Sequence, residues 1–314
     1  TGNNFHDLHI NKTTKSGNTN SNLVTIPRKN NAKLNESKSS TISLISDVDI
    51  NGWLLIENGI LNTAGYNIYI AGDWDNTVGD AGFLETTASV IFDGATDQYC
   101  YGEKFYTLEI DKSWGQLTFP DGTSSNCQYL DWTQGGYQVD GDFTALDLID
   151  NGLYGYIQVY NGNLTLHQGN TTGEFVDLNG ELTIYGGSMI VHGGTDDSWW
   201  TYGGDASIIM TGGSLEFADV GIQIYHNPAF SFTENITGGT ISTPLDFIVS
   251  RENCSPEGGT VHLVGSNDAD LDMVPGSGLC NLVINKSSKS GSAGQYPKQP
   301  RFNVSGNTSK SNTV

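Results

Sequence analysis

The sequence predicts an all-β fold: a right-handed parallel β-helix, or solenoid, with turns of about 25 residues and flanking β-rich joint segments. Three observations point there. Short apolar/polar alternations recur at a near-constant spacing, a glycine marks the same place in each, and the chain is glycine-rich (40 of 314) with only 16% charged residues. A β-sandwich or tandem β-domains is the competing architecture.

The spacing comes first. Gly162, Gly187, Gly213 and Gly239 follow one another at intervals of 25, 26 and 26. Aligning their flanks produces columns. Five residues before the glycines stand Ile157, Leu182, Ile208 and Glu234, and three before stand Val159, Ile184, Met210 and Ile236. Two after stand Leu164, Met189, Leu215 and Ile241, and four after stand Leu166, Val191, Phe217 and Thr243. Gly59 (with Leu54, Ile56, Leu61) and Gly259 (with Val261, Leu263) fit the same scheme. Alternation within each unit is the strand period, and glycine between two strands supplies the backbone freedom of a corner. One such turn cannot bury its apolar face alone, whereas stacked turns share a continuous core. Column positions such as Leu215 belong inside, and Thr165 and Glu216 outside. Glu234 and Thr243 break the columns and mark where the stack tapers or distorts.

A longer repeat is superimposed. F-H-D-L-H-I-N-K-T-T-K-S-G (5–17) matches L-C-N-L-V-I-N-K-S-S-K-S-G (279–291) at 7 of 13 positions, and S-K-S-S-T-I (37–42) matches S-K-S-N-T-V (309–314). F-Y-T-L-E-I-D-K-S (105–113) is a shorter echo. The chain therefore reads as one unit of an array plus the start of the next, or as a body with similar caps at both ends. Charge divides it the same way. Residues 1–46 carry six cations against Asp7 and Glu36, a net +4, and residues 279–314 carry five cations and no acid. The body, 47–278, holds only Lys104, Lys112 and Arg251 as cations and a net −30. The expected organisation is a basic joint (1–46), an acidic β-helical body (47–278) and a restart (279–314).

A net charge of −21 excludes nucleic acid as a partner, because no basic excess exists to neutralise phosphates. No apolar run is long enough for a membrane helix. An acidic, Asn/Gly/Thr-rich composition with nine Asn-x-Ser/Thr triplets reads as extracellular or cell-surface. The four cysteines show no zinc spacing. Cys100 to Cys127 is an interval of 27 and Cys254 to Cys280 one of 26, close to one turn, so two disulfides between neighbouring turns are expected.

D-V-D-I-N-G-W-L-L-I-E-N-G-I-L-N-T-A-G-Y-N-I-Y-I-A-G-D-W-D-N (47–76), S-V-I-F-D-G (89–94) and Y-Q-V-D-G-D-F-T-A-L-D-L-I-D-N-G (137–152), with the F-x-x-L-x-I-x-K opening, resemble large secreted repeat proteins of the Bacteroidota type. The resemblance implies β-helical, adhesin-like surface proteins of the type IX secretion class. Its motifs are structural and bring no catalytic residues with them.

The most binding-like segment is the loop T-D-D-S-W-W-T-Y-G-G (195–204). Trp199, Trp200 and Tyr202 offer flat apolar faces, and Asp196 and Asp197 offer acceptors for sugar hydroxyls. Packing of these aromatics over the core is the plainer reading. His167 and His192 share a column and stack about one strand spacing apart with no third ligand. Asp268, Asp270 and Asp272, like Asp73, Asp75 and Asp80, are oxygen-rich enough for Ca2+, but neither set matches an EF-hand loop and solvated turns read better. No catalytic set is legible: enzymes acting on acidic polysaccharides need a cation near the substrate carboxylate, and the body holds only Lys104, Lys112 and Arg251 as cations and no basic signature. The expected function is an extracellular structural or adhesive repeat protein, a building block of a fibre, sheath or surface stalk, without catalysis or cofactor. Its expected partners are copies of itself, head-to-tail or lateral. The alternative is a carbohydrate-binding β-helix module using the aromatic/acidic loop.

Overall fold

The computed structural model describes residues 3–11, 41–149, 152–168, 177–193, 198–200, 204–287, 302–303 and 310–312. The chain is an all-β parallel solenoid of about 10 turns averaging about 22 residues, without α-helix among the described residues. It divides into two compact units, Thr1–Ile149 and Asp150–Val314.

The second unit contains the glycine-marked columns. Strand Asn163–His167 pairs in parallel with Ser188–His192, that strand with Ser214–Phe217, and that with Thr240–Thr243. The register sets Leu164 on Met189, Leu215 and Ile241, as the alignment predicts. Leu164, Met189, Leu215, Val159, Ile184 and Met210 are all buried, while Glu216 is exposed and Thr165 half-buried. Each large column side chain removed from water contributes about 2 kcal/mol. At the corner, Gly187, Gly213 and Gly239 adopt φ of 48°, 66° and 84°. A Cβ on Gly213 would run into the Gly186 carbonyl oxygen one turn below. Glycine is thus required twice, by a left-handed backbone and by the closeness of the next turn.

The two column breakers are accommodated differently. Thr243 is fully buried; its hydroxyl donates to the Val220 carbonyl at 2.8 Å and accepts the Leu245 N–H at 3.1 Å. Glu234 is half-buried beside a cavity of about 20 Å3 that Ile208, Cys254 and Val261 also line. Beyond these residues the turn shortens, since Ile241 pairs directly with Val261.

The first unit has shorter turns and an aromatic core. Val90 pairs with Leu108 and Leu108 with Leu130, so one turn runs from position 90 to 108 and the next from 108 to 130. Trp74, Phe83, Phe92 and Phe105 meet edge-on with centroids 4.8 to 6.4 Å apart. Here the F-x-x-L-x-I-x-K echo acquires a physical meaning. Phe105, Leu108 and Ile110 point inward, and so does Lys112, which is 1% exposed. Its ammonium donates to the carbonyls of Gly94 and Thr96, both at 2.8 Å, and to Gln98 Oε1. The Gln98 amide nitrogen in turn donates to the carbonyls of Ile70 at 3.0 Å and Gly72 at 2.6 Å. Lysine and glutamine together tie three successive turns. In the second unit, Lys286 of the 279–286 copy of that motif repeats the device, donating to the Pro244 and Val264 carbonyls at 2.6 and 2.8 Å. An ammonium has three donors, enough to satisfy carbonyls converging where a strand enters its corner. Burial lowers the Lys112 pKa to about 8, opposed by the nearby carboxylates of Asp97, Asp93 and Asp73.

The two expected disulfides are absent, and all four cysteines are free. The reason is the varying turn length. Cys127 stacks on Phe105, whereas Cys100 bridges to Trp74 on a different strand. In the second unit the Cys254 carbonyl accepts the Gly278 N–H at 2.9 Å, which leaves Cys280 past the stacking position, its Sγ against the Glu257 carbonyl. Both cysteine intervals overshoot the local turns. Burial pushes the Cys100 and Cys127 thiols well above their usual range, and Cys254, with a smaller contribution from Glu234, up to about 12.

Two glycines of the second unit separate the two demands made on glycine. Gly276 has φ 89° but, unlike Gly213, nothing within 4 Å of the place a Cβ would take. Gly276→Ala is expected to cost about 1–2 kcal/mol, the left-handed penalty alone, and Gly213→Ala about 3 kcal/mol or more, because the stack must open. Urea unfolding of the two variants checks the difference; equal losses would mean that turn spacing imposes no constraint there.

Candidate functional site

Strand alternation in the first unit creates a face that no contiguous motif announces. Leu54 pairs with Trp74, and Trp74 bridges to Cys100. These three side chains are fully buried, so their neighbours project outward in two parallel columns. One column runs Trp53, Asp73, Tyr99; the other runs Leu55, Asp75, Tyr101. Trp53, Tyr99 and Tyr101 are 41%, 41% and 44% exposed. The two tyrosine rings stack at 6.0 Å with 24° between their planes. Asp73 Oδ1 accepts the Tyr99 N–H at 2.9 Å, which holds the carboxylate against the tyrosine turn. Burial and then repulsion from Asp73 raise the pKa of Asp75. Burial, followed by Asp73, Tyr99 and Asp75, raises that of Tyr101.

A buried carboxyl supports this face from inside. Glu103 is 3% exposed. Its Oε2 accepts the Trp74 indole N–H at 3.1 Å and the Asn76 amide at 2.8 Å, and its Oε1 accepts the Lys104 N–H at 2.9 Å. Trp74 and Asn76 are the inward residues of the strand Trp74–Asn76, which carries Asp75 outward and follows Asp73 directly. Burial raises the Glu103 pKa to about 7, against the lowering effect of these hydrogen bonds.

Of the residues expected to bind glycan, Asp196, Asp197 and Tyr202 lie outside the described residues. Trp199 and Trp200 belong to strand Ser198–Trp200, whose backbone pairs with Asp177 and Leu178 on one side and Gln223 and Ile224 on the other. His167 and His192 do stack, with centroids 4.2 Å apart and planes 2° apart. His192 Nδ1 lies 3.4 Å from Asp219 Oδ2. Burial lowers the His167 pKa, with His192 adding to the effect. Asp268 and Asp270 are exposed and Asp272 half-exposed around the strand Asp270–Met273. Among the described residues, no three His, Cys, Asp or Glu side chains converge as a metal site requires.

The Trp53/Asp73/Asp75/Tyr99/Tyr101 face is readable only with the register in hand. D-W-D (73–75) and Y-C-Y (99–101) each centre on an inward residue, and the bridge between Trp74 and Cys100 stacks one on the other.

Glu103 gives the site a pH signature. Its folded pKa exceeds the unfolded value of 4.5, so the fold favours the protonated carboxyl. That contribution is complete below pH 4.5 and is lost as pH rises through about 7. Stability of the wild type is expected to fall by about 1–3 kcal/mol over this window, and Glu103→Gln to lessen the fall. Thermal melts across the window check it; parallel curves for the two proteins would show that Glu103 titrates normally.

Comparison with known protein families, with curated proteins and with solved structures gives no match, so the chain is placed by its fold alone, as a parallel β-solenoid.

Proposed function

We propose that this chain is an extracellular structural or adhesive repeat module, a building block of a fibre, sheath or surface stalk that works without catalysis. The observation that carries the reading is the fate of its longest repeat. In the two copies whose lysine lies among the described residues, the F/L-x-x-L-x-I-x-K segment directs that lysine into the turn stack, at Lys112 and Lys286. The repeat therefore serves to propagate turns, as an array-forming motif should. The alternation of basic segments with a body of net −30 supports association between copies. The likeness of the quoted segments to secreted, adhesin-like repeat proteins of the Bacteroidota type supports the extracellular placement.

Carbohydrate binding is the second reading. The exposed Trp53, Tyr99 and Tyr101 beside Asp73 and Asp75 favour it, since aromatic platforms and carboxylate acceptors are the chemistry of sugar recognition. Light scattering and electron microscopy separate the two. Assembly into head-to-tail or lateral polymers, weakened by added salt, is expected of the structural module. Monomers at every salt concentration would overturn it. On a glycan array, saturable binding that disappears in Trp199→Ala/Trp200→Ala or Tyr99→Ala/Tyr101→Ala would instead establish the second reading.

A further inference from the structure

We infer that the outer face formed by Trp53, Asp73, Asp75, Tyr99 and Tyr101 is a docking site for a cationic peptide segment, and that its occupant is the basic stretch 288–301 of a second copy of this chain. The inference rests on the assembly reading above and gives it an address.

The geometry begins with two carboxylates on one turn and two stacked tyrosines on the next. Each tyrosine stands one turn, about 4.8 Å, beyond an aspartate in its own column. Trp53 stands one turn before Asp73. Among the described residues, neither Asp73 nor Asp75 has a lysine or arginine in salt-bridge range; Lys104, the nearest outward cation in sequence, is paired with Glu85 at 3.6 Å. The face is therefore negative, flat and aromatic at once. An ammonium or guanidinium group suits all three properties. It is drawn to the ring face by the quadrupole and to the carboxylate by charge, and its methylene stem covers the apolar ring. A neutral sugar would use the rings but gain nothing from the net charge.

The chain itself supplies the complementary chemistry. Residues 288–301 contain Lys289, Lys298 and Arg301 and no acid. Lys298 and Arg301 are three residues apart, about 10 Å along an extended chain. Two solenoid turns, the span from Trp53 to Tyr99, measure about 9.6 Å. One cation can thus sit near Trp53 and Asp73 while the other reaches the tyrosine pair. Trp53, Tyr99 and Tyr101 are already well exposed, so docking requires no rearrangement of the turn stack.

The test uses the full chain and a synthetic peptide copying residues 288–301. Fluorescence anisotropy should show binding that weakens with salt. Asp73→Asn/Asp75→Asn is expected to weaken it about tenfold, and Tyr99→Ala/Tyr101→Ala about threefold to fivefold. Asparagine at 73 can still accept the Tyr99 N–H, and melting temperatures near wild type would show that the variants remain folded. A peptide with its three cations replaced by glutamine should not bind. Self-association of the whole protein should fall in parallel with peptide affinity. Equal peptide binding by wild type and both variants would overturn the proposal. So would saturable binding of a neutral oligosaccharide such as cellohexaose without binding of the peptide. Polymers that persist unchanged in Asp73→Asn/Asp75→Asn would overturn this address while leaving assembly itself intact. Wild-type monomers at every salt concentration would overturn the assembly reading and the docking site with it.

Discussion

In a parallel solenoid each side chain rests on another one turn away, at the strand spacing of about 4.8 Å. That single distance governs what each position tolerates. Apolar residues gain from stacking on their like, as Leu164, Met189, Leu215 and Ile241 do. Flat rings gain as well: Tyr160 lies on Tyr185 with centroids 4.5 Å apart, and His167 on His192. Charges lose, because like stacked on like at this distance repels. Tyrosine above aspartate, as Tyr99 stands on Asp73 and Tyr101 on Asp75, avoids that repulsion, and it leaves an aromatic surface next to a charged one.

The same spacing explains why so many acids fit into one chain. Asp or Asn side chains repeatedly accept the backbone N–H of a residue one turn on: Asp7 from Trp53, Asp47 from Asn67, Asn67 from Ser89, Asp73 from Tyr99, and Asp246 from Asp270. At a corner the strand ladder is interrupted and an amide is left over, and a short carboxylate or carboxamide reaches it. Part of the acidic composition is thus backbone satisfaction. Lys112 and Lys286 perform the converse task for leftover carbonyls, from inside.

How much of this is legible from sequence depends on turn length. Between Leu164 and Ile241 of the second unit the turn is nearly constant, so Gly187, Gly213 and Gly239 and their flanking columns can be aligned by counting. In the first unit Leu108 lies closer in sequence to its partner Val90 than to its partner Leu130, and bulky Trp74, Phe92 and Phe105 replace aliphatic columns, so the same count fails. The cysteine pairing is wrong for that reason: it extends the long period to regions with shorter ones. The lysine motif is visible as a repeat, but its role is not. Lysine is ordinarily an outward residue, and only the convergence of carbonyls from stacked turns makes an inward one favourable. The Asp73/Tyr99 face escapes notice because its members stand a full turn apart in the chain, whereas the aromatic loop at 195–204 stands out by being contiguous.

One corner shows what such a design permits. Strands Leu54–Asn58 and Ile60–Asn62 are joined by Gly59 alone. One turn earlier the whole stretch 12–40 separates their partners, Leu8–Asn11 and Thr41–Ser43, yet the pairing is kept on both sides. The cross-section is heritable while the corner is editable. All six cations of the N-terminal region, from Lys12 to Lys38, fall within that one inserted length of sequence. Chain length, and charge with it, can therefore be added between two strands while their pairing with the neighbouring turn is kept.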